Sequence, residues 1–315
     1  MLINPCSFGQ QGKQRLTRKE IKNAYVTRIQ CVRESDEVWL VKIDDNNGCP
    51  DPSQLTVKQQ LNSLQQELEP TQCGWGDRQL NDLTQAHLAD SGIQTVIFIH
   101  GWRATECSAL RQANQVYAAM KRSPDLPPIR FVYLVWKAEK SERRIKADYL
   151  QKSEYSKIVG RCLLPIMEQF QNRDIVLLGH SLGAQVILSF LTQPNMLPDD
   201  GSRYKTVLVG SALHCEFSDD ITREYTQKQY QTSRTLLFNN TKDFAIRVSS
   251  SRICPRRLQP YAGKIGPILD QKLIPLGTSE RVDIELEVGC NHDVAYYVAS
   301  REFPSRFACF LNSGE

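Results

Sequence analysis

The feature that most constrains the fold is an alternation, from residue 93 onward, between short apolar runs and longer segments with helical spacing. Such uninterrupted runs are typical of strands buried on both faces of a parallel sheet. The runs are residues 95–100, 129–136, 174–179, 206–211, 235–238 and 282–288, and the helical segments are 108–121, 141–171, 182–192 and 294–300. This alternation predicts an α/β fold, a doubly wound, mostly parallel sheet with helices on both faces. Ligands then bind at the carboxyl ends of the strands.

Residues 1–92 show a different pattern. Segments 24–32 and 37–43 are rich in Val, Ile, Tyr and Trp and flank a polar turn, which predicts a hairpin. Helical spacing follows at Val57, Leu61, Leu64 and Leu68. A second short helix is expected to end near Ala89. We predict that residues 1–92 contribute the first strands of the same sheet and that residues 93–315 form its core; a separate docking element is the alternative for the N-terminal region.

Composition narrows the classes of function. A net charge of +4 spread over 315 residues is too weak to indicate a nucleic-acid partner. No apolar run approaches the roughly 20 residues of a transmembrane helix. The first residues lack the basic and apolar parts of a signal peptide, so a cytoplasmic location is expected, with signal-independent export as the alternative.

Cysteine usage bears on metal binding and redox state. No two of the ten cysteines are three positions apart, which excludes a C-x-x-C metal knuckle or redox pair. Several lie within apolar patterns, and we interpret them as mostly reduced core thiols. An exported protein with a few disulfides is the alternative. The sequence predicts no metal site and no cofactor.

One motif indicates a nucleophile. Gly179-His180-Ser181-Leu182-Gly183 follows an apolar run and opens a helical segment. This strand–Ser–helix context is the one that a nucleophile elbow requires, with a glycine on each side because the turn is tight. Ser181 is therefore the candidate nucleophile. An ordinary strand–turn–helix with a capping serine is the alternative.

A second motif lies upstream, where the run before His100-Gly101-Trp102 ends. Backbone N–H groups at this strand end are suited to bind an oxyanion. The expected donors are the amides of Trp102 and Leu182, and His100 is expected to be structural. A plain strand-ending turn is the alternative.

These motifs resemble the α/β-hydrolase superfamily over roughly residues 93–300. Segments 132–136, 178–183 and 237–243 are most similar to a bacterial α/β-hydrolase family of unknown function. Lipases share the Gly-His-Ser-Leu-Gly combination. The resemblance implies a Ser–acid–His order along the chain, with the histidine after the last strand.

That order selects the acid and the base. His292 follows the last apolar run and is preferred as base over His214. Asp243, in the loop after the penultimate run, is the expected acid, with Glu216 and Asp219 as alternatives. Asp293 adjoins His292 and is expected to cap a helix instead.

The resulting prediction is a serine ester hydrolase of the carboxylesterase, lipase or thioesterase type, acting on a small-molecule or lipid acyl ester. A non-catalytic interaction or scaffold protein with this fold is the main alternative, and a transferase or non-ester hydrolase is the other. Two segments, 215–233 and 250–280, are candidate lids over the site.

Overall fold

The computed structural model describes residues 32–43, 55–60, 75–89, 92–167, 170, 175–191, 193, 204–212, 234–245 and 278–313. Within these residues, nine strands form one sheet in the order β3-β2-β1-β5-β4-β6-β7-β8-β9. The strands are β1 Glu37–Ile43, β2 Thr56–Gln60, β3 Trp75–Arg78, β4 Gln94–Ile99, β5 Ile129–Trp136, β6 Ile175–His180, β7 Tyr204–Val209, β8 Arg234–Asn239 and β9 Thr278–Asp283. Only the pairings β1–β2 and β2–β3 are antiparallel among the described strands. The fold is therefore the predicted α/β fold with a mostly parallel sheet.

Helices cover both faces of this sheet. They are α1 Leu80–Ala89, α2 Glu106–Met120, α3 Ile145–Cys162, α4 Leu164–Met167, α5 Leu182–Leu191, α6 Glu285–Val288, α7 Val294–Val298 and α8 Glu302–Asn312. Helices α1, α3, α4 and α5 pack on one face, and α2, α6, α7 and α8 pack on the other. Alternate residues of each central strand enter the two cores, as Ile97 and Phe98 of β4 do. Burial on both faces explains why these strands have no polar alternation.

The helix predicted at Val57 was wrong. Val57 does not begin a helix, because it lies in β2, where it pairs with Val41 of β1 and Arg78 of β3. Residues 61–74 lie outside the described part of the chain. Strand pairing, which local spacing does not encode, decides the structure at Val57.

The last strand is also displaced from its predicted position at 282–288. Strand β9 ends at Asp283, and residues 285–288 form α6. The amide of Ile284 makes the final bond to the Asn239 carbonyl, after which Ile284 and Val288, one helical turn apart, both enter the core. Helix α8 was not predicted at all, although Phe303, Phe307 and Phe310 follow helical spacing.

The interpretation of the cysteines as mostly reduced core thiols requires correction as to their burial, because three of the described cysteines are exposed. Cys162 is disulfide-bonded. Cys107 and Cys290 carry free thiols and are exposed, and Cys309 is exposed as well. Among the described helices, none has the length and apolarity needed to cross a membrane.

Candidate active site

The site lies where the direction of strand addition reverses. From β4 the chain continues to β5 on one side of it, and β6 then pairs with β4 on the other side. Ligands bind in the crevice at the carboxyl ends of strands at such a switch point. His100 and Gly101 follow β4, and Ser181 follows β6 directly. Both motifs of the sequence analysis therefore meet at this crevice.

Ser181 occupies a tight turn with an unusual backbone conformation. Its φ is +54°, and Arg103 is the other non-glycine residue with a positive φ in the described ranges. This conformation costs on the order of 1 kcal/mol for a residue with a Cβ. The Ser181 amide donates to the Val209 carbonyl at 3.1 Å, and the Ser181 carbonyl accepts from Ala184 and Ala212. These bonds hold the strained turn in place.

Glycines at positions 183 and 101 are required by close contacts of the backbone. A Cβ at Gly183 would lie 2.1 Å from the carbonyl oxygen of Ile99, and one at Gly101 would lie 2.7 Å from the Ser181 Cβ. The elbow and the end of β4 are thus in direct backbone contact. Only residues without a side chain permit that approach.

His292 and Asp243 lie beside Ser181. The Ser181 hydroxyl is 2.9 Å from His292 Nε2, and His292 Nδ1 is 2.7 Å from Asp243 Oδ2. Because a carboxylate only accepts, Nδ1 carries the proton and Nε2 is left as an acceptor for the serine hydroxyl. The structure therefore brings together the three residues that the sequence analysis selected.

Two further bonds join the loop of Asp243 to the loop of His292. The Asn240 side-chain amide donates to the Gly289 carbonyl at 2.8 Å. The Phe244 amide donates to the Cys290 carbonyl at 3.1 Å. Asp293 caps α7 by accepting from the Ala295 amide, as predicted.

Two buried histidines, His180 and His100, hydrogen-bond to the backbone around these residues. The His180 ring contacts the main-chain carbonyl of His292 through Nε2 at 2.9 Å, so that Nε2 must carry the proton and donate it. Burial, together with the neighbouring His292, lowers the pKa of His180 to about 3. His180 is therefore neutral at physiological pH, and it links the elbow to the loop of His292.

His100 is held between β5 and its own turn. The Trp136 amide donates to His100 Nε2 at 3.2 Å, which leaves the proton on Nδ1 for the Gly101 carbonyl at 2.9 Å. Burial lowers the pKa of His100 to about 4, so this ring is also neutral. Its contacts are with the turn that follows β4 and with the end of β5.

Trp102 and Leu182 present their amides near the elbow. Leu182 is the first residue of α5, where amides have no partner within the helix. In the described part of the chain, no backbone acceptor pairs with either amide. The adjacent turn is fixed by a 2.8 Å bond from the Arg103 amide to the Ala138 carbonyl.

Asp148 anchors the Trp102 side chain. Its buried carboxylate accepts from Trp102 Nε1 at 3.0 Å and from the amide and the hydroxyl of Ser141 at 3.0 and 2.6 Å. Burial alone would raise the pKa of Asp148. The hydrogen bonds from Ser141 and Trp102 lower it by more, so the pKa of Asp148 lies below its usual value. Sequence reasoning missed Asp148. It also missed Tyr297 of α7, whose hydroxyl donates to Asp243 Oδ2 at 2.5 Å.

Some predicted residues cannot be placed. Glu216, Asp219 and His214 lie outside the described residues, as does the candidate lid 215–233. Of the candidate lid 250–280, only residues 278–280 are described, and they begin β9. In the described ranges, no three His, Cys, Asp or Glu side chains cluster as metal ligands would.

The sheet, the switch point and the strand–Ser–helix turn define an α/β hydrolase. The chain belongs to the family of alpha/beta hydrolases of unknown function designated DUF900, whose sequence profile matches residues 78–264. No curated protein matches the chain.

Several solved structures are similar to this one at low identity. A protein of Listeria innocua is 10% identical, with 71% of this chain and 95% of that chain covered and a TM-score of 0.46. The esterase Pf2001 of Pyrococcus furiosus is 12% identical, with 87% and 90% covered and a TM-score of 0.41. The carboxylesterase CesB of Bacillus subtilis is 12% identical, with 75% and 97% covered and a TM-score of 0.36.

Proposed function

We propose that this protein is a serine ester hydrolase in which Ser181, His292 and Asp243 form the catalytic triad. The observation that carries the proposal is the continuous chain of hydrogen bonds from the serine hydroxyl through both imidazole nitrogens to the carboxylate. A scaffold protein that only retained the fold would not need this geometry. The 2.7 Å contact between acid and base therefore favours an enzyme over the scaffold alternative.

The chemistry follows from the position of the protons. Ser181 attacks an acyl carbonyl while His292 Nε2 takes the hydroxyl proton. Asp243 keeps the ring in the tautomer that can accept that proton, and it stabilises the imidazolium that forms. His292 then protonates the leaving alcohol or thiol, which departs and leaves an acyl-serine. A water molecule, activated by the same ring, hydrolyses the acyl-serine and regenerates the enzyme.

The oxyanion is assigned to the amides of Trp102 and Leu182. Trp102 follows the end of β4 and Leu182 is the first residue of α5, and neither amide has a backbone partner within the described ranges. Preorganised donors of this kind are worth about 3 kcal/mol each in the transition state. This arrangement suits a tetrahedral intermediate of acyl transfer, and the substrate class is therefore an acyl ester or thioester of a small molecule or lipid.

The first test is labelling with a fluorescent fluorophosphonate, followed by intact-mass analysis. We expect the wild type to gain one adduct, Ser181→Ala to gain none, and His292→Ala to react about 10⁴-fold more slowly. Ser156→Ala is the matched control because Ser156 is also buried but lies in α3, outside the triad. This control should label like the wild type.

The reaction is run with and without mild detergent so that a covered site is also detected. A folded wild type that stays unlabelled in both conditions would contradict the proposal, as would labelling that persists in Ser181→Ala. If labelling succeeds, a series of esters and thioesters of increasing acyl length will define the substrate.

A further inference from the structure

We propose that Tyr297 is a positioning residue for the acid of the triad, because its hydroxyl lies 2.5 Å from Asp243 Oδ2, the oxygen that also contacts His292 Nδ1 at 2.7 Å. This inference rests on the proposed function for its kinetic consequence. Its geometric part, a second donor on the acid, stands by itself. No motif in the sequence pointed to this residue.

The direction of the hydrogen bond is fixed. A carboxylate can only accept, so the Tyr297 hydroxyl is the donor. Burial, reinforced by the neighbouring negative charge of Asp243, raises the pKa of Tyr297 well above its usual value. The phenol therefore keeps its proton at every pH at which the enzyme can be assayed. Asp243 is 1% exposed, and a polar group buried to this extent needs hydrogen-bond partners.

The chain makes room for the Tyr297 ring at one specific position. Gly210 follows β7 with a φ of +49°, and a Cβ there would lie 2.8 Å from Tyr297 Cζ and 3.0 Å from its hydroxyl oxygen. A side chain at position 210 would displace the phenol from Asp243. The absence of a side chain at Gly210 is thus an independent sign that the phenol is held in place against the acid.

The base and the phenol lie close together in the chain. His292 lies directly before the capping residue Asp293, and Tyr297 lies within α7, five positions after the base. The Tyr297 ring also contacts the edge of the His180 ring, with centroids 6.3 Å apart. Asp243 therefore receives two donors from α7 and its approach, and a single rigid turn sets the angle of both. Loss of the phenol hydroxyl removes one of these two donors and its constraint on the angle of the carboxylate.

The consequence is a selective effect on turnover. Tyr297 is fully buried and contacts the acid, so it has no direct access to substrate. We expect Tyr297→Phe to lower kcat by about 10- to 100-fold with KM unchanged, because misalignment of the triad acts only on the transition state. The rate of fluorophosphonate labelling should fall by the same factor.

The chain offers a close control. Tyr117 is a buried tyrosine whose hydroxyl donates to the buried carboxylate of Asp36 at 2.7 Å, near the amino end of β5 and away from the crevice. Tyr117→Phe removes the same kind of bond and should lower stability comparably in urea unfolding. Its kcat and its labelling rate should match those of the wild type.

Proton NMR provides a readout that does not need activity. The His292 Nδ1 proton should resonate far downfield in the wild type and in Tyr117→Phe, disappear in Asp243→Asn, and change position in Tyr297→Phe. The wild type should also show an exchange-protected Tyr297 hydroxyl proton that cross-relaxes with the Nδ1 proton, because both point at one oxygen. This second signal tests the inference even if Tyr297→Phe does not fold.

The two proposals fail in different ways. An unlabelled wild type that still shows both protons contradicts the proposed function and leaves the Tyr297–Asp243 contact standing. A labelled wild type whose Tyr297→Phe variant keeps kcat within about twofold, with an unshifted Nδ1 proton, overturns the role of Tyr297. Absence of the hydroxyl proton in the wild type overturns it as well.

Discussion

Substitution of Gly183 by alanine should damage both stability and catalysis. The added Cβ would lie 2.1 Å from the Ile99 carbonyl oxygen and 2.9 Å from that of His100. These are backbone atoms at the end of β4, so no side-chain rotation can relieve the clash. Van der Waals contact needs more than 3 Å, and α5 must therefore move away from β4 by about 1 Å.

That displacement sets the expected magnitudes. Overpacking of a rigid site costs about 1–3 kcal/mol, and a contact with fixed backbone belongs at the upper end, so we expect a loss of about 3 kcal/mol in the free energy of unfolding. Ser181 and the Leu182 amide move with the start of α5, away from Trp102. A shift of about 1 Å between reacting groups lowers kcat by about 100-fold.

Gly160→Ala is the matched control. A Cβ at Gly160 would lie 2.6 Å from the Val186 carbonyl oxygen and 2.5 Å from the Ser189 Cβ, toward the other end of α5. It should cost similar stability in urea unfolding while the folded protein keeps a labelling rate near that of the wild type. If Gly183→Ala is as stable and as active as the wild type, the reasoning from close contact is wrong. If both variants lose kcat equally, the effect does not come from the elbow.

Two further predictions concern the buried groups around the site. The folded pKa values of His100 and His180 are lowered from 6.5 to about 4 and about 3, so below pH 6.5 the unfolded chain binds protons that the folded chain cannot. Above pH 6.5 the free energy of unfolding should keep its full value. At pH 5 it should be lower by about 2 kcal/mol for each of these histidines. In urea unfolding, the loss between pH 7 and pH 5 should be about 2 kcal/mol smaller in His180→Gln than in the wild type, and an equal loss would count against this account. Asp148→Ala leaves the half-buried donors of Trp102 and Ser141 without their acceptor, which should cost about 3 kcal/mol of stability and slow labelling about tenfold. An unchanged labelling rate would show that the Trp102 side chain does not position its loop.

The parts of the fold that could be predicted are those whose signal is local. Strand β5 is buried at all eight positions, and its apolar sequence predicted its bounds correctly. The elbow was recognisable because a glycine is needed on each side of a serine that follows a strand. Such features depend on neighbours in the chain, which the sequence displays directly.

Features decided by distant partners could not be predicted. Val57 lies in a strand because β1 and β3 pair with β2 on either side, and its own spacing favoured a helix. Tyr297 reaches Asp243 across 54 residues, and Trp102 reaches Asp148 across 46. The sequence around a single tyrosine or aspartate does not indicate which distant atom its side chain contacts. Only the tertiary structure identifies these residues.

Two buried polar side chains, His180 and Asp148, each hold a loop of the proposed site in place. Ser181, His292 and Trp102 all lie on loops, yet the reacting atoms of a hydrolase must hold their positions to within about 0.5 Å. The loop of the base is fixed through its carbonyl by His180, and Trp102 is fixed through its indole by Asp148. Each anchor is buried and bonds a group that takes no part in the proposed chemistry. Substitutions at these anchors should therefore change kcat far more than KM, whatever acyl group the enzyme accepts.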